Sequence, residues 1–366
     1  MKLCFVSPGS YALFHPSARY TFGGAEVQMY LLASELAKDK SMEVSFIVGD
    51  FGQPVEELVQ GIRLIRGMKY EKRTFWNFIM PMNKISHYSA MKRADADIYI
   101  VRTASAIVGL TCLFARMLGK KFVFMTASEI DCDGRFERSS GPIVGAIYRY
   151  GLMNADLVIT QSEEHRKLLS RIYKLTAYPL KSGYPIKKAK STRKHVLWVA
   201  RCDRSKRPDI IIELAKRFRE VKFLFICPPG EDLEYYCQIT SGFPDNIEHK
   251  SFVPFRDISD YFAKALVFVN TSEFEGFPNT FIQACLAGTP ILSYKVNPDS
   301  VLDKEGIGIA CKGDRLRLEK ELQKLLRNKQ FRERLGRKAL KYAKNNHDIR
   351  QVAASLKRLL EKLEAD

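Results

Sequence analysis

The chain has 366 residues, 46% hydrophobic and 27% charged, the make-up of an ordinary soluble globular protein long enough for two domains. Its formal net charge of +18 favours an acidic partner, whether nucleotide phosphate, anionic lipid or nucleic acid. The eight cysteines, at 4, 112, 132, 202, 227, 237, 285 and 311, form no CxxC pair, and several sit in apolar runs. That argues against a disulfide framework or a cysteine metal site, and for reduced thiols in a reducing compartment.

Helical patterns alternate with short apolar runs along the whole chain, a βαβ rhythm that predicts parallel sheets covered on both faces. The first predicted strand, 2–6, is cut off by Ser7-Pro8-Gly9-Ser10, too early for a signal peptide. After a Ser/Pro/Tyr loop that contains His15, Phe22-Gly23-Gly24-Ala25-Glu26 opens a helical pattern running to Leu36. Paired glycines at a helix start let backbone amides approach an anion closely; a plain capping turn is the alternative. Further strands are predicted at 44–48, 98–101, 122–125 and 157–160. Between Arg63 and Lys121 stand twelve Lys and Arg against three Asp and Glu, and in 69–93 they interleave with Trp, Phe and Tyr. The mixture suits an anionic membrane surface, and equally a core helix with solvated charges. The stretch 103–115, bracketed by Arg102 and Arg116, falls short of the ~20 residues a membrane span needs.

Two D-x-D triplets occur, Asp95-Ala96-Asp97 before a predicted strand and Asp131-Cys132-Asp133 after one. Ligands collect at the C-terminal edge of a parallel sheet, so Asp131 is the better placed, and a role beside a substrate is favoured over metal binding. Ser128, in the same loop, is a candidate contact for a substrate hydroxyl. The six histidines form no spaced cluster, and no metal is expected.

Between 178 and 194 Pro, Gly and Lys dominate, the texture of an interdomain linker. The predicted boundaries are 1–186 for a first Rossmann-like domain, 187–345 for a second, and 346–366 for a last helix set off by Asn345-Asn346-His347-Asp348. The second half opens with V-L-W-V-A-R-C-D-R-S-K-R-P-D, 196–209, a strand followed by Arg201 and, five residues on, Lys206. A guanidinium grips two phosphate oxygens at once and an ammonium acts as a mobile point charge, so the pair suits a diphosphate. A solvated basic turn is the alternative. Strands are also predicted at 222–227, 266–270 and 290–294.

The most telling stretch is E-F-E-G-F-P-N-T-F-I-Q-A-C-L-A-G-T-P, 273–290. Asn279 or Thr280 is predicted to cap a helix that Gly288 and Pro290 end, with Gln283 on its first turn. A Gly/Pro-rich loop before a helix presents free amides and the positive end of the dipole to an anion. Glu275 at its mouth repels a phosphate and suits the hydroxyls of a sugar beside it. Together these residues point to a nucleotide-sugar.

Glu275-Gly276-Phe277, with Gln283-Ala284 after it, resembles the E-G-F-x-x-x-x-x-E-A signature of the retaining GT-B glycosyltransferases of family GT4. Arg201 and Lys206 resemble the basic pair of that family's G-R-x-x-x-x-K-G pattern, and Gly23-Gly24 its Gly-Gly loop. The resemblance runs in order along nearly the whole chain. It implies an α/β GT-B fold: two Rossmann-like domains with parallel sheets facing across a cleft, the last helix returning to the first. It implies a cytoplasmic hexosyltransferase, peripheral at the inner face of a membrane. The implied reaction moves a sugar from a UDP- or GDP-sugar, with retention, to a glycan or lipid-linked acceptor in cell-surface polysaccharide or glycolipid synthesis. No cofactor, metal or nucleic acid partner is expected. In this reading Arg201 and Lys206 stabilise the diphosphate and Glu275 positions the donor sugar. Gly276, Phe277, Pro278, Asn279 and Thr280 line the donor, and Gly23 and Gly24 bring the acceptor side against it. Gln283 replaces the family's second acidic residue and would hold the ribose through an amide, without charge-assisted strength. Ala200 and Arg207 stand where the family has glycines, and Ala127-Ser128-Glu129 where many members have a His. The other classes left open are a nucleotide-sugar epimerase of the same fold and a non-catalytic nucleotide- or nucleic-acid-binding module.

Overall fold

The computed structural model describes residues 1–16, 22–69, 81–186 and 191–365. They divide into two compact units, Met1–Gly183 with Ile349–Asp366, and Tyr184–Asp348. The first unit is built on β1 (Lys2–Val6), β2 (Glu43–Asp50), β3 (Glu56–Val59), β4 (Ile62–Lys69), β5 (Ile98–Arg102), β6 (Lys121–Met125), β7 (Leu157–Thr160) and β8 (Tyr178–Pro179). Their spatial order is β3-β4-β2-β1-β5-β6-β7-β8. All pairs are parallel except β3 and β4, a hairpin turned by Gln60 and Gly61, both at positive φ. Leu3, Cys4 and Phe5 in β1 and Ile98, Tyr99 and Ile100 in β5 are wholly buried, as strands covered on both faces must be.

Two helices of this unit, Ala106–Met117 and Pro142–Met153, cross at backbone contact. A Cβ on Gly109 would stand 2.0 Å from the Ile147 carbonyl oxygen, and one on Gly151 2.7 Å from Gly109 Cα. Only glycine allows that crossing. The last helix, Ile349–Ala365, lies in the first unit, where Lys357 Nζ meets Asp39 Oδ2 at 2.6 Å.

The second unit holds six parallel strands, β9 (His195–Val199), β10 (Phe223–Ile226), β11 (Ile247–Lys250), β12 (Ala265–Asn270), β13 (Ile291–Ser293) and β14 (Gly308–Ala310). Their order is β11-β10-β9-β12-β13-β14. Trp198, Phe225, Val267 and Val269 from the middle strands pack with Ile211 and Leu318 from the covering helices. The chain runs outward in both directions from the β9–β12 pair, so the loops leaving these two strands splay apart and open a crevice at their C-terminal ends. Among the described residues, no helix is long and apolar enough to cross a membrane.

β3, β4, β8, β11 and β14 fall outside the strands predicted from sequence. β4 reads I-R-L-I-R-G-M-K and β11 I-E-H-K, so charges interrupt the apolar run. β3 and β11 are edge strands, half exposed, and β14 has three residues. Pairing with a neighbour, not burial on both faces, makes β3 and β11 strands, whereas β4 lies inside the sheet and buries Ile62, Leu64 and Ile65.

Candidate functional site

The loops that leave β9 and β12 meet at this switch point. After β9 the chain passes Arg201, makes one 3-10 turn over Arg204–Lys206, and enters the helix Pro208–Arg217. After β12 it runs from Thr271 to Pro278 into the helix Asn279–Leu286. Four contacts tie one loop to the other. The Glu273 amide donates to the Ser205 carbonyl at 2.9 Å. Thr271 Oγ1 donates to the Lys206 carbonyl at 2.6 Å, and itself accepts from the buried Trp198 indole N–H at 2.9 Å. The Lys206 ammonium donates to Glu275 Oε1, which also accepts from Ser272 Oγ at 2.9 Å. Arg207 reaches Glu273 Oε1 at 2.6 Å.

Arg207 stands at φ 50°, ψ 57°, in the left-handed region that favours glycine. The residue is held there by its own side chain. Its Nε and Nη2 donate to the two oxygens of Asp209 at 2.9 and 2.7 Å while Nη1 takes Glu273. Hydrogen bonds to Asp209, then to Glu273, push the guanidinium pKa further above its ordinary value. Lys295 at 3.0 Å, then Arg207, hold the Glu273 carboxyl below the usual range. Arg207 and Glu273 thus fasten the base of the loop that carries Glu275.

Lys206 and Glu275 are each 22% exposed in their side chains, so the pair is open to a ligand yet partly desolvated. Chemically, the ammonium can receive an anion and the carboxylate can accept hydrogen bonds from hydroxyl groups. Arg201 lies on the same loop, its Nε on Asp203 Oδ2 at 2.7 Å and its side chain 46% exposed. The structure brings Lys206 and Glu275 into contact and ties Arg201 to a different carboxylate.

Gly276, Phe277 and Pro278 are buried. The Phe277 ring packs on His347, centroids 4.9 Å apart, so it props the loop from within. The following helix starts at Asn279 with Pro278 as its cap, and no side chain caps it. Asn279 and Thr280 therefore lie inside its first turn, half-buried, and Gln283 falls on the second turn, not the first. Gln283 lines an apolar hollow with Tyr184, Phe255, Ile258 and Leu286. Gly288, at φ 62°, ends the helix.

In the first unit Gly23 caps the helix Gly24–Leu36, and its amide is taken by Glu26 Oε2 at 3.0 Å. Asp131 is buried and turned inward. It accepts from the amides of Ala104, Ala127 and Ser128 at 3.1, 2.6 and 3.0 Å, and from Ser128 Oγ at 3.4 Å. Burial raises its carboxyl pKa against the pull of those amides. Ser128 and Asp131 thereby join the loops after β5 and β6. Asp95 and Asp97 pair with Lys2 and Lys120 at the opposite end of that sheet. His15 meets Glu57 at 3.1 Å. Among the described residues, no group of three or more His, Cys, Asp and Glu side chains could hold a metal ion. All eight cysteines are free thiols, seven of them buried. Of the basic aromatic segment 69–93, residues 70–80 lie outside the described residues. The helix Pro81–Ala94 that follows exposes Met82 and Ile85.

Sequence reasoning passed over Trp198, Thr271, Ser272 and Glu273, and took Arg207 only as a departure from glycine. Ser272 and Glu273, three and two residues before Glu275, lay close enough in sequence to suggest a role.

Residues 184–342 match the family model of the Glycosyl transferases group 1, and residues 22–181 that of Glycosyltransferase Family 4. No curated protein sequence matches the chain. Solved structures do match along its whole length. Sucrose-phosphate synthase from Thermosynechococcus elongatus aligns at TM-score 0.80 and 16% identity, over 100% of this chain and 99% of that one. HepE from Anabaena, solved in complex with UDP-glucose, aligns at 0.77 and 15%, over 99% and 100%. A glycosyltransferase from Rickettsia africae aligns at 0.71 and 12%, over 99% and 98%.

Proposed function

From the premise that this chain is a GT4-like glycosyltransferase of the GT-B fold, we propose that it takes a hexosyl group from a nucleotide-sugar. The group passes, with retention at the anomeric carbon, to a glycan or lipid-linked acceptor in the synthesis of a cell-surface polysaccharide or glycolipid. The observation that carries this reading is the Lys206–Glu275 contact at the β9–β12 switch point, where a cation for the diphosphate stands against a carboxylate for the sugar. The UDP-glucose bound to HepE supports a nucleotide-sugar, a UDP- or a GDP-sugar, as the donor.

Bond cleavage moves negative charge onto the diphosphate, so cations aimed there act most strongly in the transition state. Lys206 does this from a backbone fixed by Thr271. Arg201 leaves Asp203 to reach the same phosphates. Once freed from Lys206, Glu275 holds the sugar hydroxyls, still oriented by Ser272. The helix Asn279–Leu286 adds the positive end of its dipole.

The test is release of UDP or GDP from a panel of nucleotide-sugars in water, with Glu275→Ala and Arg201→Ala beside the unaltered protein. The reading expects slow hydrolysis of one donor and its loss in both variants. Neither turnover nor thermal stabilisation by any donor would reject it.

A further inference from the structure

Half of the net charge of +18 sits in residues 315–344, which hold twelve Lys and Arg against three Glu. They form two packed helices of the second unit, Arg315–Arg327 and Lys329–Asn346. The first buries Leu318, Leu322 and Leu325, the second Leu335, Ala339 and Tyr342. The opposite flanks are basic. On the first helix Arg317, Lys320 and Arg327 are exposed; on the second, Arg334, Arg337, Lys338, Lys341 and Lys344. Lys320 and Arg327, seven residues or two turns apart, share one side of the first helix, and Arg334, Arg337, Lys338, Lys341 and Lys344 share one side of the second over roughly 15 Å.

None of these eight cations has an ion-pair partner among the described residues. All three acids are engaged elsewhere: Glu319 with Arg217, Glu321 with Lys324 at 3.7 Å, and Glu333 with Lys329 at 4.0 Å. Like charges four apart, as in Arg334–Lys338 and Arg337–Lys341, weaken a helix. Glu333 is the one exposed acid on these two helices, against eight unpaired exposed cations; a face that served only solubility would mix the signs more evenly.

We propose that this basic flank is a docking face for an anionic lipid bilayer. Charge complementarity requires a partner bearing many negative charges. The choice of a bilayer over a nucleic acid rests on two observations. The flank offers no exposed aromatic ring on which bases could stack, since Phe331 is partly buried beneath Lys324 and Arg334. The first helix also exposes an apolar side chain among its cations, Leu316 at 74%, one helical turn from Lys320. Apolar residues beside Lys and Arg suit the headgroup layer of a membrane. The inference does not rest on the transfer reaction, and its test needs no donor.

The experiment is co-sedimentation of the full chain with vesicles of phosphatidylcholine alone and with phosphatidylglycerol added, at low and high salt. Each Lys near an anionic leaflet is worth roughly a factor of five in partitioning. The triple variant Lys338→Glu, Lys341→Glu, Lys344→Glu is therefore expected to lose about a hundredfold or more of the binding to anionic vesicles. Its melting temperature is expected to hold, because all three side chains are exposed and unpaired. Equal partitioning to both vesicle types, or binding unchanged in the triple variant, overturns the proposal. So does loss of binding only in the control Lys92→Glu, Arg93→Glu, which places the contact on the first unit. Tighter binding to a single-stranded oligonucleotide than to the vesicles overturns the choice of a bilayer.

Discussion

Replacing Arg207 by glycine and, separately, by alanine sets two opposing effects at one residue against each other. Both variants lose the guanidinium bonds to Asp209 and Glu273, partly buried contacts that together contribute about 1–2 kcal/mol. The alanine variant keeps a side chain at φ 50°, where a non-glycine residue costs about 1–2 kcal/mol. The glycine variant sheds that strain and gives back about half of it through its freer unfolded chain. Alanine should therefore be the less stable of the two by about 0.5–1 kcal/mol, with both below the unaltered protein. Urea unfolding followed by Trp198 fluorescence, in a Trp76→Phe background, reads the second unit alone. An alanine variant as stable as the glycine variant, or more so, would refute the backbone strain at Arg207, and a glycine variant as stable as the unaltered protein would refute the claim that ion pairs hold Arg207 in a glycine conformation.

Three further outcomes are expected. Thr271→Val leaves the Trp198 N–H and the Lys206 carbonyl without their partner, so kcat should fall by about tenfold or more with donor KM less affected, while Thr271→Ser, which keeps the hydroxyl, should restore it. Asp131→Asn cannot accept from all three backbone amides, so the first unit should lose about 2 kcal/mol in denaturant melts, with the second unit's own unfolding transition unchanged. Burial lowers the pKa of His87 from 6.5 to about 4, so in acid the unfolded chain takes up a proton before the fold does. Stability contributed by neutral His87 is complete above pH 6.5 and is lost as pH falls toward about 4, a loss of about 3 kcal/mol. His87→Gln should flatten that acid limb in melts at pH 7, 5 and 4.

The central strands of both sheets were legible because burial on both faces leaves short uninterrupted apolar runs such as L-C-F-V and L-V-F-V. The loop after β12 was legible because glycine, proline and a carboxylate are an unusual company beside a strand end. What stayed hidden depends on partners distant in sequence. Thr271 contacts Trp198 and Lys206, 73 and 65 positions away, and nothing near it marks the bond. Asp131 looked available to a substrate because it follows a strand, yet three backbone amides satisfy it. Arg207 reads as a broken glycine motif until its left-handed backbone and its two carboxylate partners are seen together. The start of the helix after Pro278 shows the same limit: Asn279 has the side chain of a cap, but Pro278 takes the cap position.

The central claim is that Lys206 and Glu275 divide the donor between them, the ammonium taking diphosphate and the carboxylate taking sugar. Calorimetric titration of the accepted nucleotide-sugar and of its nucleoside diphosphate into Glu275→Ala tests it most directly. The account predicts that the nucleoside diphosphate binds as tightly as before, or tighter because Lys206 has lost its competitor, while the sugar adds nothing to the affinity and hydrolysis stops. Loss of nucleoside diphosphate binding in that variant, or an undiminished gain from the sugar, would contradict it.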